Sequence, residues 1–286
     1  MNAGPMRSAL FALLALATAA HAAPKKALPA KAGGPVSHAP PACGAKILPM
    51  VVGNAWKYEA VVAPLPAEEA IAKLAPPQPK FFTITVTGVD AKGADTVVSL
   101  EEKVTYDLSR DSSKQKLDER TVKTSIVCNA KGKFEVSPDS YFFAGEPGGY
   151  LGMTLDKVDR PRDTSYKLVN GGIGEAEWRE DIIAHFTRTP TEGVDVKVGS
   201  GKLELERKFT PAQPEAVSTK MGGYNAEKLG LVTTGRVTLD GAPADAKPME
   251  LPAGWTNILW LAPGVGMVQS LNKYAHMYQL TEATLK

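Results

Sequence analysis

The sequence predicts a mainly β protein built on a long-stranded antiparallel sheet with one buried face and one wet face. Beyond Ile47, most segments alternate apolar and polar residues with period two, which is typical of strands that bury one side. Their polar positions are rich in Thr, Lys and Glu, and turn sequences such as Ala91-Lys92-Gly93 and Asp240-Gly241 separate them. Strands and helices do not alternate regularly, so a doubly wound parallel sheet is not expected.

Residues 1–22 predict a secretory signal peptide. Arg7 provides the positive start, Ala9–Ala20 is an apolar run of twelve residues, and Ala20-His21-Ala22 fits a cleavage site. The run is shorter than the roughly twenty apolar residues that a membrane-spanning helix needs. We therefore expect an exported mature protein in the periplasm or the extracellular space; the alternative is a buried helix of the mature fold.

Residues 23–42 predict a flexible tether, and residues 43–286 predict a single β domain. The tether consists mainly of Ala, Pro, Gly and Lys and has too few large apolar side chains to offset the entropy lost on ordering. A lipoprotein carries a cysteine directly after its apolar run, whereas the first cysteine here, Cys43, lies well beyond residue 22. An N-terminal lipid anchor is therefore not expected.

The two cysteines, Cys43 and Cys128, are expected to form a disulfide, because two thiols in an oxidising compartment usually pair. The closed loop is long, for which the chain-entropy model gives roughly 4–5 kcal/mol. Cys128 has the strand parity of Val122 and Ile126, so it should point inward. The alternative is two unpaired buried cysteines. No metal site is expected, because the cysteines and the four histidines lack ligand spacing.

Charge and composition exclude some classes of partner. The formal net charge is +2, and loss of Arg7 with the signal peptide leaves +1. Nucleic-acid binding requires a dense basic face, which this balance does not suggest. We expect no cofactor and no transmembrane segment after signal cleavage.

Four segments define the inward face of the sheet most clearly. In the segment that runs from Val98 to Leu108, Glu102 interrupts the apolar set. The inward residues are Trp56, Tyr58, Ala60 and Val62; Phe82, Ile84 and Val86; Val98, Leu100, Val104, Tyr106 and Leu108; and Leu203, Leu205 and Phe209. Further strands are expected over residues 116–129, 164–169, 177–188, 215–220, 229–239, 255–262, 266–273 and 275–281.

One short helix is expected between Pro66 and Leu74. Pro66 suits the first turn, Glu69 precedes Lys73 by four residues, and Pro76-Pro77 ends the helix. Such a short helix is marginal alone, so we expect it to dock on the concave face of the sheet.

Pro263-Gly264 predicts a hairpin turn rather than a phosphate-binding loop. Pro and Gly fit the two central positions of a type II turn. A phosphate loop would precede a helix, whereas the residues after Gly266 are typical of a strand.

Two segments resemble a broad group of exported, largely uncharacterised bacterial β-proteins. Leu259–Ser270, "LWLAPGVGMVQS", resembles their C-terminal signature, and Ile47–Ala60, "ILPMVVGNAWKYEA", resembles their Leu-Pro…Gly-x-x-Trp-x-Tyr opening. The resemblance implies a strongly curved antiparallel sheet, similar to the half-barrel of the lipoprotein carriers LolA and LppX, with one or two short helices on its concave face. It supplies no catalytic residues.

Catalytic motifs are weak. Ser113-Lys114-Gln115-Lys116 matches the Ser-x-x-Lys of penicillin-recognising enzymes but lies in a polar loop without the partner motifs. Glu177, Asp181 and His185 share one strand face but are too far apart to converge on one metal, so a solvated face is expected.

His276 is expected to be a surface or satisfied histidine. The loop Phe142–Met153 is either a packed corner, which we favour, or a mobile lid.

The leading functional hypothesis is a non-enzymatic binding or carrier protein of the bacterial envelope, for a lipid, an acylated protein or another hydrophobic ligand. The alternative is a structural or assembly protein that binds envelope proteins and has a filled interior; a hydrolase is a remote third. For the carrier, the candidate ligand-binding residues on the apolar face are Trp56, Tyr58, Phe82, Trp178, Phe186 and Trp260.

Overall fold

A computed structural model describes residues 47–73, 75, 77–107, 116–129, 133–142, 153–162, 173, 176–188, 199–243, 245–250 and 255–286. These residues form antiparallel strands and almost no helix, which confirms the predicted fold class. The elements are β1 (Ala55–Val61), α1 (Glu69–Ala72), β2 (Pro79–Lys92), β3 (Asp95–Asp107), β4 (Leu117–Asn129), β5 (Phe134–Val136), β6 (Met153–Arg162), β7 (Trp178–Arg188), β8 (Gly199–Thr219), β9 (Gly222–Leu239), β10 (Met249–Glu250), β11 (Trp255–Ala262), β12 (Gly266–Leu271) and β13 (Met277–Thr284).

The strands form one sheet in the order β5-β4-β3-β2-β1-β13-β12-β11-β9-β8-β7-β6, with β10 beside β9. Consecutive strands form hairpins on both sides, and β1 pairs with β13, which joins the two halves of the chain. Laid flat, such a sheet would hold its edges on the order of 50 Å apart. Arg160 on the edge strand β6 nevertheless donates from Nη2 to the carbonyl oxygen of Val136 on the other edge strand, β5, at 2.6 Å. The sheet is therefore open but strongly curved, as expected.

Period-two alternation places the predicted apolar residues in the core. Phe82, Ile84 and Val86 of β2 are buried, and the threonines between them are more exposed. In β3 the buried set includes Glu102, so this residue does not interrupt the inward face as expected but belongs to it. Leu108 and the strand predicted over residues 164–169 lie outside the described residues.

The hairpin of β8 and β9 is longer than predicted. The segments at 202–209 and 215–220 were expected to be separate strands, but both belong to β8, which has a register shift between Ala212 and Glu215. Beyond this shift the hairpin lies over the face of the sheet opposite to Tyr58. There, Gln279 Nε2 donates to the Ser218 carbonyl oxygen at 3.4 Å, and Lys220 pairs with Glu59 at 2.5 Å.

The predicted helix is shorter than expected, and the predicted inward position of Val62 is wrong. The helix expected over Pro66–Leu74 is the single turn α1, because Glu68 supplies no side-chain cap and a helix this short needs tertiary support. Glu69, Ala72 and Lys73 are exposed and Ile71 is half-buried, so docking of α1 on the concave face stays a prediction. Val62 lies beyond the end of β1 and is 95% exposed, so it does not share the buried face of Trp56.

The turn at Pro263-Gly264 is confirmed. The backbone N–H of Val265 donates to the carbonyl oxygen of Ala262 at 3.0 Å, and Gly264 has φ of +75°. Gly266 follows with φ of +108°, and a Cβ there would lie 2.8 Å from Leu48 Cδ1. This corner therefore needs glycine for backbone conformation at both positions and for space at Gly266.

In the described part of the chain, no helix has the length and apolarity needed to cross a membrane.

Replacing Gly266 with alanine should destabilise the fold more than the same change at Gly264. Gly264→Ala meets no atom within 4 Å, so it incurs backbone strain alone, about 1 kcal/mol. Gly266→Ala adds overlap with Leu48 and Trp56, for a loss of about 3 kcal/mol. Urea denaturation of both variants measures the difference; equal losses would contradict the close packing at Gly266.

Candidate functional site

The candidate site lies on the face of the sheet that carries Trp56 and Tyr58, called here the inner face. Directly paired residues of adjacent antiparallel strands share a face. Tyr58 lies opposite Phe82 on β2, and Ala60, which shares the face of Tyr58, lies opposite Tyr278 on β13. Trp56, Tyr58, Phe82 and Tyr278 are fully buried in one apolar cluster.

Hydrogen bonds fix the aromatic residues of β1 against the hairpin corner of β11 and β12. Trp56 Nε1–H donates to the Val265 carbonyl oxygen at 2.5 Å, and the Tyr58 hydroxyl donates to the Met267 carbonyl oxygen at 2.7 Å. Since a buried indole or phenol needs a polar partner, these bonds set the positions of both rings. The segments Ile47–Ala60 and Leu259–Ser270 therefore meet in space.

Residues Pro138–Phe142, called here the strap, cross the inner face after β5. The Tyr141 ring packs 4.7 Å from that of Tyr58 and 4.5 Å from that of Phe82, measured between centroids. Its hydroxyl is 2.8 Å from the Ser270 hydroxyl on β12. Phe142 packs edge-on against Trp56 at 5.2 Å. The strap thus fills the aromatic part of the inner face with its own side chains.

The carboxyl group of Glu102 fastens the middle of the strap. Glu102 accepts hydrogen bonds from the Ser140 hydroxyl at 2.7 Å, from the Thr124 hydroxyl at 2.9 Å and from the Tyr141 backbone N–H at 3.1 Å. Complete burial raises the pKa of Glu102 to about 7, although these three donors act in the opposite direction. The nearby Asp139 carboxyl also has a raised pKa, chiefly because of its own burial.

Two arginines hold the other end of the strap and the strand before it. Arg207 on β8 donates from Nη2 to the Pro138 carbonyl oxygen at 2.7 Å, and Arg160 on β6 binds the carbonyl of Val136. Glu180 on β7 lies between the two guanidinium groups, 2.9 Å from Arg160 Nε and 3.8 Å from Arg207 Nη1. The strap therefore links β3 in one half of the sheet to β8 in the other, and Arg160 links β5 to β6.

The structure divides the six predicted ligand-binding residues. Trp56, Tyr58 and Phe82 lie together, and Trp178 is half-buried and stacks on Phe209 at 5.1 Å. Phe186 lies beyond the Glu180–Arg207 pair in a smaller apolar cluster. That cluster consists of Ile182, Ala184, Phe186, Leu203 and Leu205.

Trp260 is not on the inner face, and its placement there is corrected. The register joins Trp260 to Gln269, Gln269 to Gln279 and Gln279 to Glu59, all of which lie on the opposite face from Tyr58. The indole is buried beneath the β8–β9 hairpin, where its Nε1–H donates to the Glu215 carboxyl group at 3.2 Å. Apolar character alone predicted burial but not the face, because the returning hairpin covers this side of the sheet.

The sequence reasoning missed the charged part of the site. Glu102, Glu180 and Arg207 are all buried at the inward parity of their strands, each between apolar neighbours on the same face. A charged residue at an inward position was the available signal, since such a residue needs a partner inside the fold. Tyr141 gave no signal, because it lies outside any strand pattern.

The remaining candidates do not form a site within the described residues. Glu177 pairs with Lys208 at 2.9 Å on an exposed surface, as expected for a solvated face, and no group of potential metal ligands occurs in the described ranges. His276 is buried rather than exposed, and desolvation lowers its pKa to about 4. Two further predictions fall outside the described residues: residues 113–115 of the Ser-x-x-Lys sequence and residues 143–152 of the predicted corner.

Cys128 is fully buried on β4, so its predicted inward orientation is confirmed. Cys43 lies outside the described residues, and its pairing with Cys128 stays a prediction.

Comparison with known proteins gives distant structural matches. No family model and no curated protein matches the chain. The chain is similar to a candidate exported protein with a YmcC-like fold from Bacteroides fragilis, with 11% identity and a TM-score of 0.43 over 84% of this chain and 99% of that one. It is also similar to a candidate lipoprotein from Parabacteroides distasonis, with 14% identity and a TM-score of 0.44 over the same shares.

Thiol titration tests the predicted disulfide. The mature protein, unfolded without reductant, should show no reactive thiol, and reduction should release two, since the sequence has two cysteines. Two reactive thiols before reduction, in protein prepared from the periplasm, would contradict the pairing.

Raising the pH should destabilise the protein through Glu102. Its pKa rises from 4.5 in the unfolded chain to about 7 in the fold, so the folded state binds the proton more tightly. This stabilisation is complete below about pH 4.5 and is lost as the pH rises through about 7, by at most about 3 kcal/mol.

Glu102→Gln cannot ionise, so the fall in unfolding free energy between pH 5 and 8 should become smaller. Asp139 is retained in this variant and still contributes in the same direction. Glu101→Gln, on the other face of β3, is the control and should keep the wild-type dependence. Denaturation at several pH values measures the fall in unfolding free energy. If Glu102→Gln shows the same pH dependence as the wild type, Glu102 is not the source of that fall.

Proposed function

We propose that the protein is an exported, non-enzymatic binding or carrier protein of the cell envelope, whose hydrophobic ligand binds on the inner face of the curved sheet. The observation that supports this most is the strap, a short segment without strand structure that covers a buried aromatic surface. Ligand sites of this class are concave and largely apolar with a few polar groups. The inner face has Trp56, Tyr58 and Phe82 as its apolar part and Glu102 and Ser270 as polar groups.

The strap is the part of this core that a ligand can replace. Tyr141 lies between the rings of Tyr58, Phe82 and Tyr278, so its departure opens a space bounded by three aromatic rings. An alkyl chain entering that space would restore the buried apolar contact that Tyr141 provides. The polar anchors of the strap are individually modest, because each hydrogen bond is exchanged for one to water when the strap moves.

A structural or assembly protein is the second candidate function. The observation that favours it is the filled inner face, since Tyr141 and Phe142 pack there as core residues. In that case the ring cluster is a fixed core, no small ligand enters, and the protein acts by binding other envelope proteins.

Ligand extraction and dye titration test the proposal. Protein purified from its native compartment should carry a hydrophobic compound detectable by mass spectrometry of an organic extract. Tyr141→Ala, which shortens the side chain that fills the site, should bind an environment-sensitive apolar dye more tightly than the wild type. Tyr274→Ala, in the turn between β12 and β13, is the matched control and should not.

Absence of a co-purified compound, together with no dye response from either the wild type or Tyr141→Ala, would contradict the carrier function. Recovery of defined envelope proteins with the same preparation would then support the assembly function.

A further inference from the structure

Arg207, beside the strap, has fewer partners than a buried guanidinium group usually requires. Arg207 is 5% exposed, and its Nε finds no hydrogen-bond partner in the described part of the chain. Its other contacts are the Pro138 carbonyl oxygen and the distant Glu180 carboxylate, 3.8 Å from Nη1. Because an unsatisfied buried donor is unfavourable, this guanidinium is suited to accept a further oxygen ligand.

Of the two arginines, Arg207 depends more on the strap for a negatively charged neighbour. Arg160 and Arg207 carry two positive charges, Glu180 on the sheet carries one negative charge, and Asp139 on the strap interacts favourably with Arg207. Glu135 lies 4.0 Å from Arg160 and shares Lys133 with Asp95, so it adds negative charge beside Arg160.

Displacement of the strap removes the Pro138 carbonyl and the Asp139 carboxylate together. Arg207 then retains only the Glu180 carboxylate, which is 3.8 Å away and already accepts a hydrogen bond from Arg160. A single anionic group would replace both the carbonyl and the carboxylate that Arg207 loses.

The aromatic surface is close enough to bind the rest of the same molecule. Pro138 and Tyr141 are three positions apart in the strap, which limits the two sites to about 10 Å along the chain. The strap thus presents a carbonyl and a carboxylate to Arg207 and two aromatic rings to the apolar surface.

We infer that the ligand of the inner face is an amphiphile with one anionic head group, a carboxylate or a phosphate, that Arg207 binds while its apolar chain replaces Tyr141 and Phe142. This inference rests on the proposed carrier function and names the ligand class for that site. The strap occupies the same positions in the free protein and competes with the ligand.

Chain-matched probes test the head-group preference. Oleate, oleoyl lysophosphatidate and oleyl alcohol, each below its micelle concentration, are titrated into the mature protein and measured by calorimetry. Oleate or the lysophosphatidate should bind roughly tenfold or more tightly than the alcohol, as expected for charge-assisted hydrogen bonds in a buried site. The tighter of the two shows whether the head group is a carboxylate or a phosphate.

Variants separate the arginine contact from general apolar binding. Arg207→Gln should lose the anion preference and keep its affinity for oleyl alcohol. Arg179→Gln, an exposed arginine paired with Glu206 on the other face of β7, is the control and should keep both. Arg207→Gln leaves Glu180 paired with Arg160 alone. The double variant Glu180→Gln/Arg207→Gln removes both members of the 3.8 Å pair and should give the same loss.

Asp139→Asn keeps the arginines and removes the charge of the strap, so it should bind oleate several-fold more tightly than the wild type. Equal affinity of the wild type for oleate and oleyl alcohol would overturn the inference and leave the carrier function standing. Failure of all three probes to bind the wild type and Asp139→Asn would overturn both.

Discussion

The buried carboxyl group of Glu102 is the interaction on which the arrangement of the inner face depends. It accepts hydrogen bonds from Ser140 and from the backbone of Tyr141, and so holds the strap over the aromatic residues of β1 and β2. Burial of a carboxyl group is unfavourable unless donors surround it, and the strap supplies two of the three donors found here. The position of Tyr141 and the protonation of Glu102 are therefore coupled.

A charged network holds the strap and the end of β5 against the other half of the sheet. The network consists of Arg160 on β6, Glu180 on β7 and Arg207 on β8, and these strands are neighbours in the sheet. Arg160 donates to the Val136 carbonyl oxygen at the end of β5, and Arg207 donates to the Pro138 carbonyl oxygen in the strap. Buried charges specify geometry more than they stabilise, because their desolvation offsets most of their attraction. Their arrangement brings the two edges of the curved sheet together, and the strap bridges both halves across the inner face.

Period-two patterns predicted the sheet well because burial on one face imposes that period on every strand. The turn at Pro263-Gly264 was equally predictable, since its conformation is set by local steric preference. Trp260, Glu102 and Tyr141 show where such reasoning ends. The face of Trp260 depends on a hairpin that returns from distant sequence, the carboxyl of Glu102 is satisfied by residues far along the chain, and Tyr141 lies outside the strands. Contacts between distant segments leave no local period in the sequence.

Hydrogen exchange of the strap, with and without bound oleate, tests the central claim most directly. The Tyr141 amide is bonded to the buried Glu102 in the free protein, so the peptide containing it should be protected from exchange. If the ligand takes the place of the strap, saturation with oleate should increase exchange in this peptide while the β2 and β3 peptides stay protected. Unchanged or greater protection of the strap in the saturated protein would contradict displacement.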